Sequence, residues 1–161
     1  MRRVRPENDK MAKYFDYQFG LEEIVPSKQD DREGQKVTTF RTLVDEKIAP
    51  EIRTLEIFPS KKEVVVFVIQ FFLTEKEYKT RDVDNISKTV LDCLKGKIYI
   101  DDAQVRTILV TKKKYARLPA NFVFIAAKEL HGETDIDVVK TTLVEQAVGM
   151  YNASMKASSL R

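Results

Sequence analysis

The feature that most constrains the fold of this sequence is the apolar stretch over residues 64–73. It is rich in β-branched and aromatic residues, which favour strands, and its one polar residue is Gln70. A strand of this kind has to be covered on both faces, so it predicts the centre of a sheet with further layers packed against it. The stretch is too short to cross a bilayer as a helix.

The segments around this strand show further strand and helix patterns. The predicted strands span residues 13–21, 53–58, 62–73, 98–100, 104–112 and 121–127. One helix is predicted over residues 35–49, with Pro50 marking its end, and a second begins at Asp82 or Asp84 as N-cap and stops at Gly96. This order predicts an α/β (α+β) fold, a single domain in which helices pack on a mixed β-sheet.

The two ends of the chain differ from this pattern. Residues 1–11 are predicted to form a flexible basic arm, and residues 12–130 the main domain. Residues 131–161 are predicted to form an appended C-terminal helix, capped by Thr134 or Asp135. Its apolar stripe, which favours dimer support over a ligand groove, contains Ile136, Val139, Leu143, Ala147 and Met150.

Composition limits the kinds of chemistry that the chain can carry out. The net charge of +3 is too small to indicate nucleic-acid binding by itself. Cys93 is the only cysteine and His131 the only histidine, so thiolate zinc cages and histidine-rich metal sites are poorly supplied. Metal chemistry would rest on oxygen ligands, which favours Mg²⁺, with Mn²⁺ as a possible substitute. Cys93 itself is expected to be a small buried side chain.

The charged N-terminus lacks the apolar core of a signal peptide. We therefore expect a soluble, cytoplasmic protein with no membrane partner. We also expect no organic cofactor.

Acidic residues are concentrated between residues 81 and 105. Asp82 and Asp84 stand just before the second predicted helix, and Lys88 follows Asp84 by one helical turn. After Gly96 the chain reverses, and a short strand is expected to bring Asp101 and Asp102 back towards the start of the helix. This geometry predicts three or four carboxylates and one lysine in a small volume.

Carboxylates so close together repel one another, and a divalent cation removes that penalty. Such a site suits phosphodiester hydrolysis, in which Lys88 would stabilise developing charge or help to position the water. The same residues have simpler interpretations. Asp82 can be an ordinary N-cap, Asp84 and Lys88 a surface ion pair, and residues 101–102 an ordinary turn.

The spacing also resembles a known signature. The run Asp82-x-Asp84-Asn85-x-x-Lys88, then Leu91-Asp92-x-Leu94, then Asp101-Asp102-Ala103-Gln104-Val105, resembles that of RusA-type Holliday-junction resolvases, which are commonly of phage or prophage origin. The resemblance implies that Asp82, Asp84 and Asp102 are essential metal-binding carboxylates and that Lys88 is also needed for cleavage. Asp101 and Asp92 match recurrent positions, and Asp101 is a further candidate metal ligand.

The resemblance further implies a homodimer with a mixed α/β fold, which nicks four-way DNA junctions symmetrically with magnesium or manganese in a bacterial or phage-infected cell. It covers about the middle 115 residues of the chain, within the main domain over residues 12–130. Residues 26–29 are similar to a segment after the family's first strand, but Asp30 and Asp31 stand where a basic residue is expected.

Several basic residues are candidates for contacts to DNA phosphates. They are Lys28, Arg81, Lys112, Lys113, Lys114 and Arg117. The alternative for the stretch over residues 112–117 is a solvated basic loop, and the alternative for Arg81 is a carboxylate partner that holds Asp82 or Asp84.

Two other functions fit the sequence. One is a nuclease for flaps or replication forks, and the other is a DNA-binding or assembly protein in which the acidic residues are structural.

Overall fold

A computed structural model describes residues 15–28, 34–132 and 141–159 of the chain. The chain divides into two compact units, Met1–Glu129 and Leu130–Arg161. The first contains a four-stranded mixed sheet with helices, which confirms the predicted α+β class.

The elements of the first unit follow one another along the chain without a repeat. They are β1 (Tyr17–Leu21), α1 (Gln35–Ile52), β2 (Val64–Phe72), α2 (Glu75–Lys79), α3 (Val83–Leu94), a 3₁₀ turn (Asp102–Gln104), β3 (Val105–Lys114) and β4 (Phe122–Glu129). The strand order in the sheet is β1-β4-β2-β3. β2 therefore has a neighbour on each side, as its apolar composition predicts.

The direction of the strands decides where the connecting segments lie. β2 pairs in parallel with β3, while β4 runs antiparallel to both β1 and β2. Parallel neighbours need a crossover, and α3 provides it by running back along the sheet between β2 and β3. The segment that enters α3 therefore lies at one end of the sheet, and the segment that enters β3 lies at the other.

Helix α3 forms where the sequence predicts it. Asp82 is the N-cap in an extended conformation, and Gly96 ends the turn beyond the helix with a φ of 78°, a conformation that favours glycine. The buried side chains of α3 face the sheet and α1, and they are Ile86, Thr89, Val90, Cys93 and Leu94. This packing, with Val44 and Ile48 of α1, fixes α3 on the core.

Three local predictions are wrong. Helix α1 does not end at Pro50 but continues to Ile52, whose side chain packs against the core and offsets the lost backbone bond. Residues 53–58 form turns, because Thr54, Leu55 and Phe58 donate to carbonyls three residues earlier. Residues 98–100 make isolated bridges through Tyr99 and no strand.

The second unit contains α4 (Thr141–Ser159). Its exposed apolar residues include Leu143, Met150 and Tyr151. The predicted caps Thr134 and Asp135, like the predicted arm over residues 1–11, lie outside the described residues. Within the described parts of the chain, no helix combines the length and the apolar character needed to cross a membrane.

Candidate active site

Asp82 and Asp84 lie at the start of α3. Both side chains are exposed, and the Asp82 carboxylate makes no hydrogen bond to the backbone of the helix that it caps. Asp84 stands in the first turn, where the helix dipole favours a negative charge. The two carboxylates are thus open to solvent at one end of the sheet.

Lys88 lies one turn further along α3. Its ammonium is 3.3 Å from the Asp84 carboxylate, as the spacing of four residues predicts. Both side chains are about two-thirds exposed, so this ion pair contributes little to stability, on the order of 0.3–0.5 kcal/mol. The small contribution of this ion pair to stability therefore does not explain why a lysine stands at position 88.

Asp101 and Asp102 lie in a tight turn at the other end of the crossover. Asp101 caps the 3₁₀ turn, its carboxylate accepts from the Asp102 N–H at 2.7 Å, and Gln104 completes a capping box by accepting from the Asp101 N–H. Gln104 also donates to the carbonyls of Ser60 and Lys62, at 2.8 and 2.9 Å. The acidic turn is thereby tied to the loop before β2.

Lys95, at the end of α3, contacts both carboxylates of this turn. Its ammonium is 3.1 Å from Asp101 and 3.2 Å from Asp102. The hydrogen bond to Lys95 lowers the pKa of Asp101, and the same contact raises the pKa of Lys95. Burial and the nearby Asp102 raise the pKa of Tyr99, whose hydroxyl donates to the Leu91 carbonyl at 2.8 Å.

The two acidic pairs therefore lie at opposite ends of α3, which has 12 residues and a length of about 18 Å. Oxygen ligands of one magnesium ion lie about 2.0–2.1 Å from it. In residues 15–28, 34–132 and 141–159, no three acidic, histidine or cysteine side chains are grouped to hold a metal ion. The prediction that Asp101 and Asp102 return to the start of the helix within one chain is wrong, because β3 runs parallel to β2.

The residues predicted to form a basic loop, 112–117, lie partly in a strand. Lys112, Lys113 and Lys114 belong to β3, and alternation along the strand separates their side chains. Lys112 is half-buried and donates to the carbonyls of Tyr78 and Arg81, at 2.9 and 2.6 Å.

Of the other candidates for DNA contacts, some already have partners within the chain. Lys114 pairs with Glu75, and Lys28 pairs with Asp92. Lys113 and Arg117 are exposed, and Arg81 is partly buried next to Asp82.

Sequence reasoning left Gln104 and Lys95 without a role at this site. The signal for Gln104 was present, because an acidic residue followed three positions later by glutamine is a capping-box pattern. No local pattern pointed to Lys95, since its partners lie six and seven residues away across a turn.

The family model of the endodeoxyribonuclease RusA matches residues 28–126, which is more than half of the chain and includes both acidic pairs. No curated protein matches the chain significantly.

Proposed function

The chain belongs to the RusA family of endodeoxyribonucleases, and from this premise we propose that it is a metal-dependent, structure-selective enzyme that resolves four-way DNA junctions by paired, symmetric hydrolysis of phosphodiester bonds. The observation that carries the proposal is the placement of the family's acidic signature on exposed positions at the two ends of one crossover helix. Membership supports a junction-resolving endodeoxyribonuclease, and the acidic positions supply the reason to propose metal dependence.

The side chains at both ends of α3 suit a hard divalent cation. Each end offers two exposed carboxylates, and magnesium is commonly held by one or two carboxylates together with water and substrate phosphate. The Asp82 carboxylate makes no capping hydrogen bond at the start of the helix, so binding a metal ion there would not break one. A bound magnesium or manganese ion would offset phosphate charge and make a water more acidic. We propose Asp82, Asp84 and Asp102 as its ligands, with Asp101 next to them.

The separation within one chain is an argument for a homodimer. A two-fold axis pairs each surface with its counterpart on a second copy, so Asp82 and Asp84 of one protomer can meet Asp102 of its partner. Two such composite sites would also match the two-fold symmetry of a four-way junction. The proposed dimer would therefore bring together carboxylates that a single chain keeps apart.

The remaining residues have roles that follow from charge and exposure. The Lys88 ammonium lies 3.3 Å from the Asp84 carboxylate, and we propose that it stabilises the negative charge that develops on the phosphate. The exposed Lys113 and Arg117 would bind the DNA backbone, which positions the junction without reading its sequence.

The experiment is cleavage of a synthetic four-way junction by the purified protein with and without Mg²⁺. We expect paired nicks that require the ion, and an Asp82→Asn variant that binds the junction without cutting it. Glu46→Gln is the matched control, because Glu46 is an exposed acid on α1 that belongs to neither acidic pair. Normal cleavage by Asp82→Asn would exclude the proposed site.

The same assay separates the other two functions. Faster cleavage of flaps or forks than of four-way junctions would identify a different branched substrate. Junction binding that is indifferent to divalent ions, with no cleavage, would identify a DNA-binding or assembly protein.

A further inference from the structure

Lys112 lies near the end of β3, and its side chain is partly buried against the rest of the domain. Its ammonium donates to the carbonyls of Tyr78 and Arg81, at 2.9 and 2.6 Å, and lies 4.5 Å from the centroid of the Tyr78 ring. The neighbouring Lys113 is exposed. The charge of Lys112 is therefore satisfied within the chain, by two carbonyls and the face of an aromatic ring.

The two carbonyls belong to the connection between α2 and α3. Tyr78 lies in the last turn of α2, where carbonyls lack partners within the helix. The Arg81 carbonyl is part of the peptide bond that leads directly into Asp82. A single ammonium thus holds the end of one helix at a fixed distance from the start of the next.

This contact matters for Asp82 because that residue has few other restraints. Its side chain makes no capping bond, and its carbonyl accepts the first bond of α3 from the Ile86 N–H at 3.1 Å. The hydrogen bond from Lys112 to the Arg81 carbonyl is therefore a restraint on the backbone directly before Asp82.

We infer that Lys112 is a positioning residue for Asp82 and not a contact to a DNA phosphate. The inference rests on the proposed function, because it concerns the rate of cleavage through Asp82. A displacement of about 1 Å at a reacting group can lower the rate about 100-fold, so loss of this contact should reduce cleavage without reducing DNA affinity.

The test compares Lys112→Met with Lys113→Met, which removes a charge of the same kind from the next residue of the strand. Junction affinity is measured over a range of salt concentrations, and cleavage is measured in single turnover at saturating enzyme. Lys112→Met should keep the wild-type salt dependence of junction affinity, and its cleavage rate should fall about tenfold or more. Lys113→Met should lower the slope of log affinity against log salt by about one.

A second measurement does not depend on activity. Amide hydrogen exchange at Ile86, whose N–H donates to the Asp82 carbonyl, should become faster in Lys112→Met, while exchange at Asp102 should not change. Lys112→Arg keeps donors for both carbonyls, so it should retain most of the cleavage rate. If Lys112→Met does not fold, Lys112→Gln, which removes the charge, replaces it in both measurements.

The outcomes separate this inference from the proposed function. A salt slope lowered by about one with a normal rate in Lys112→Met would show a phosphate contact and overturn the inference. Unchanged exchange at Ile86 would overturn it as well. If the wild-type protein cleaves no branched DNA, the proposed function fails, and faster exchange at Ile86 in Lys112→Met would still support the positioning contact.

Discussion

The side-chain oxygen of Gln104 accepts a hydrogen bond of 2.8 Å from the backbone N–H of Asp101. The amide nitrogen of the same side chain donates to the carbonyls of Ser60 and Lys62, so Gln104 joins the acidic turn to the loop before β2. The turn that carries Asp101 and Asp102 is thereby held by one side chain that also contacts the rest of the domain. The contact gives the glutamine of the family signature a physical role.

Replacing Gln104 with methionine should loosen this turn. The change removes exposed and partly buried hydrogen bonds to the Asp101 N–H and the Ser60 carbonyl, so we expect the free energy of unfolding to fall by about 0.5–1.5 kcal/mol. Cleavage in single turnover should slow about tenfold or more, because Asp102 loses its fixed position. Chemical denaturation and junction cleavage measure the two effects.

Ser60→Ala is the control for that experiment. It removes the hydroxyl that contacts Lys62 in the same loop and Glu129 of β4, yet it keeps the carbonyl to which Gln104 donates. This variant should lose stability and cleave at the wild-type rate. An equal loss of rate in Ser60→Ala and Gln104→Met would mean that general loosening of the loop explains both.

Mixing two inactive variants tests whether the site is shared between protomers. Asp82→Asn and Asp102→Asn should each form dimers that bind junctions and do not cut them. If ligands come from both copies, a mixed dimer has one intact site, so an equal, exchanged mixture should recover roughly a quarter of the wild-type sites. Its products should be single nicks. Complete inactivity of verified mixed dimers would place all the ligands in one chain.

Lys88 should affect cleavage far more than folding. Lys88→Met removes an exposed ion pair, so stability should change by less than about 0.5 kcal/mol. Cleavage should fall by about 10²–10³-fold if the ammonium stabilises charge in the transition state. Lys79→Met is the matched control, since Lys79 forms the same type of exposed pair with Glu75. A normal cleavage rate in Lys88→Met would leave this lysine as a surface contact.

Cys93 should resist modification in the native protein. Burial in the core raises the pKa of its thiol, and the thiolate is the reactive form, so alkylation should be slow at pH 8 and speed up only above the ordinary range for cysteine. In denaturant the same reagent should react quickly. Rapid alkylation of the folded protein at neutral pH would contradict the buried position on α3.

Local sequence patterns were sufficient for β2 and for α3, the helix that carries Asp84 and Lys88. The apolar stretch around Val66 predicted the central strand, and Asp82 and Gly96 predicted the limits of α3. Each of these follows from interactions between residues close in sequence, or from the need to bury a continuous apolar segment. The acidic signature likewise identified the family, which the family match supports.

Long-range packing decided what local patterns could not. Helix α1 continues past Pro50 because Ile52 packs against the core, and Leu55 packs against it from a turn within the segment predicted as a strand. Lys112 faces inward because Tyr78 and Arg81, more than 30 residues earlier in the chain, provide acceptors for its ammonium.

The sequence by itself determined which residues are acidic, which helix lies between them and which family they indicate. Only the tertiary structure decided that Asp82 and Asp102 lie at opposite ends of that helix. The reason is the parallel pairing of β2 with β3, which requires a crossover along the length of the sheet. Strand direction depends on contacts between distant segments, so the spacing within residues 81–105 cannot predict it.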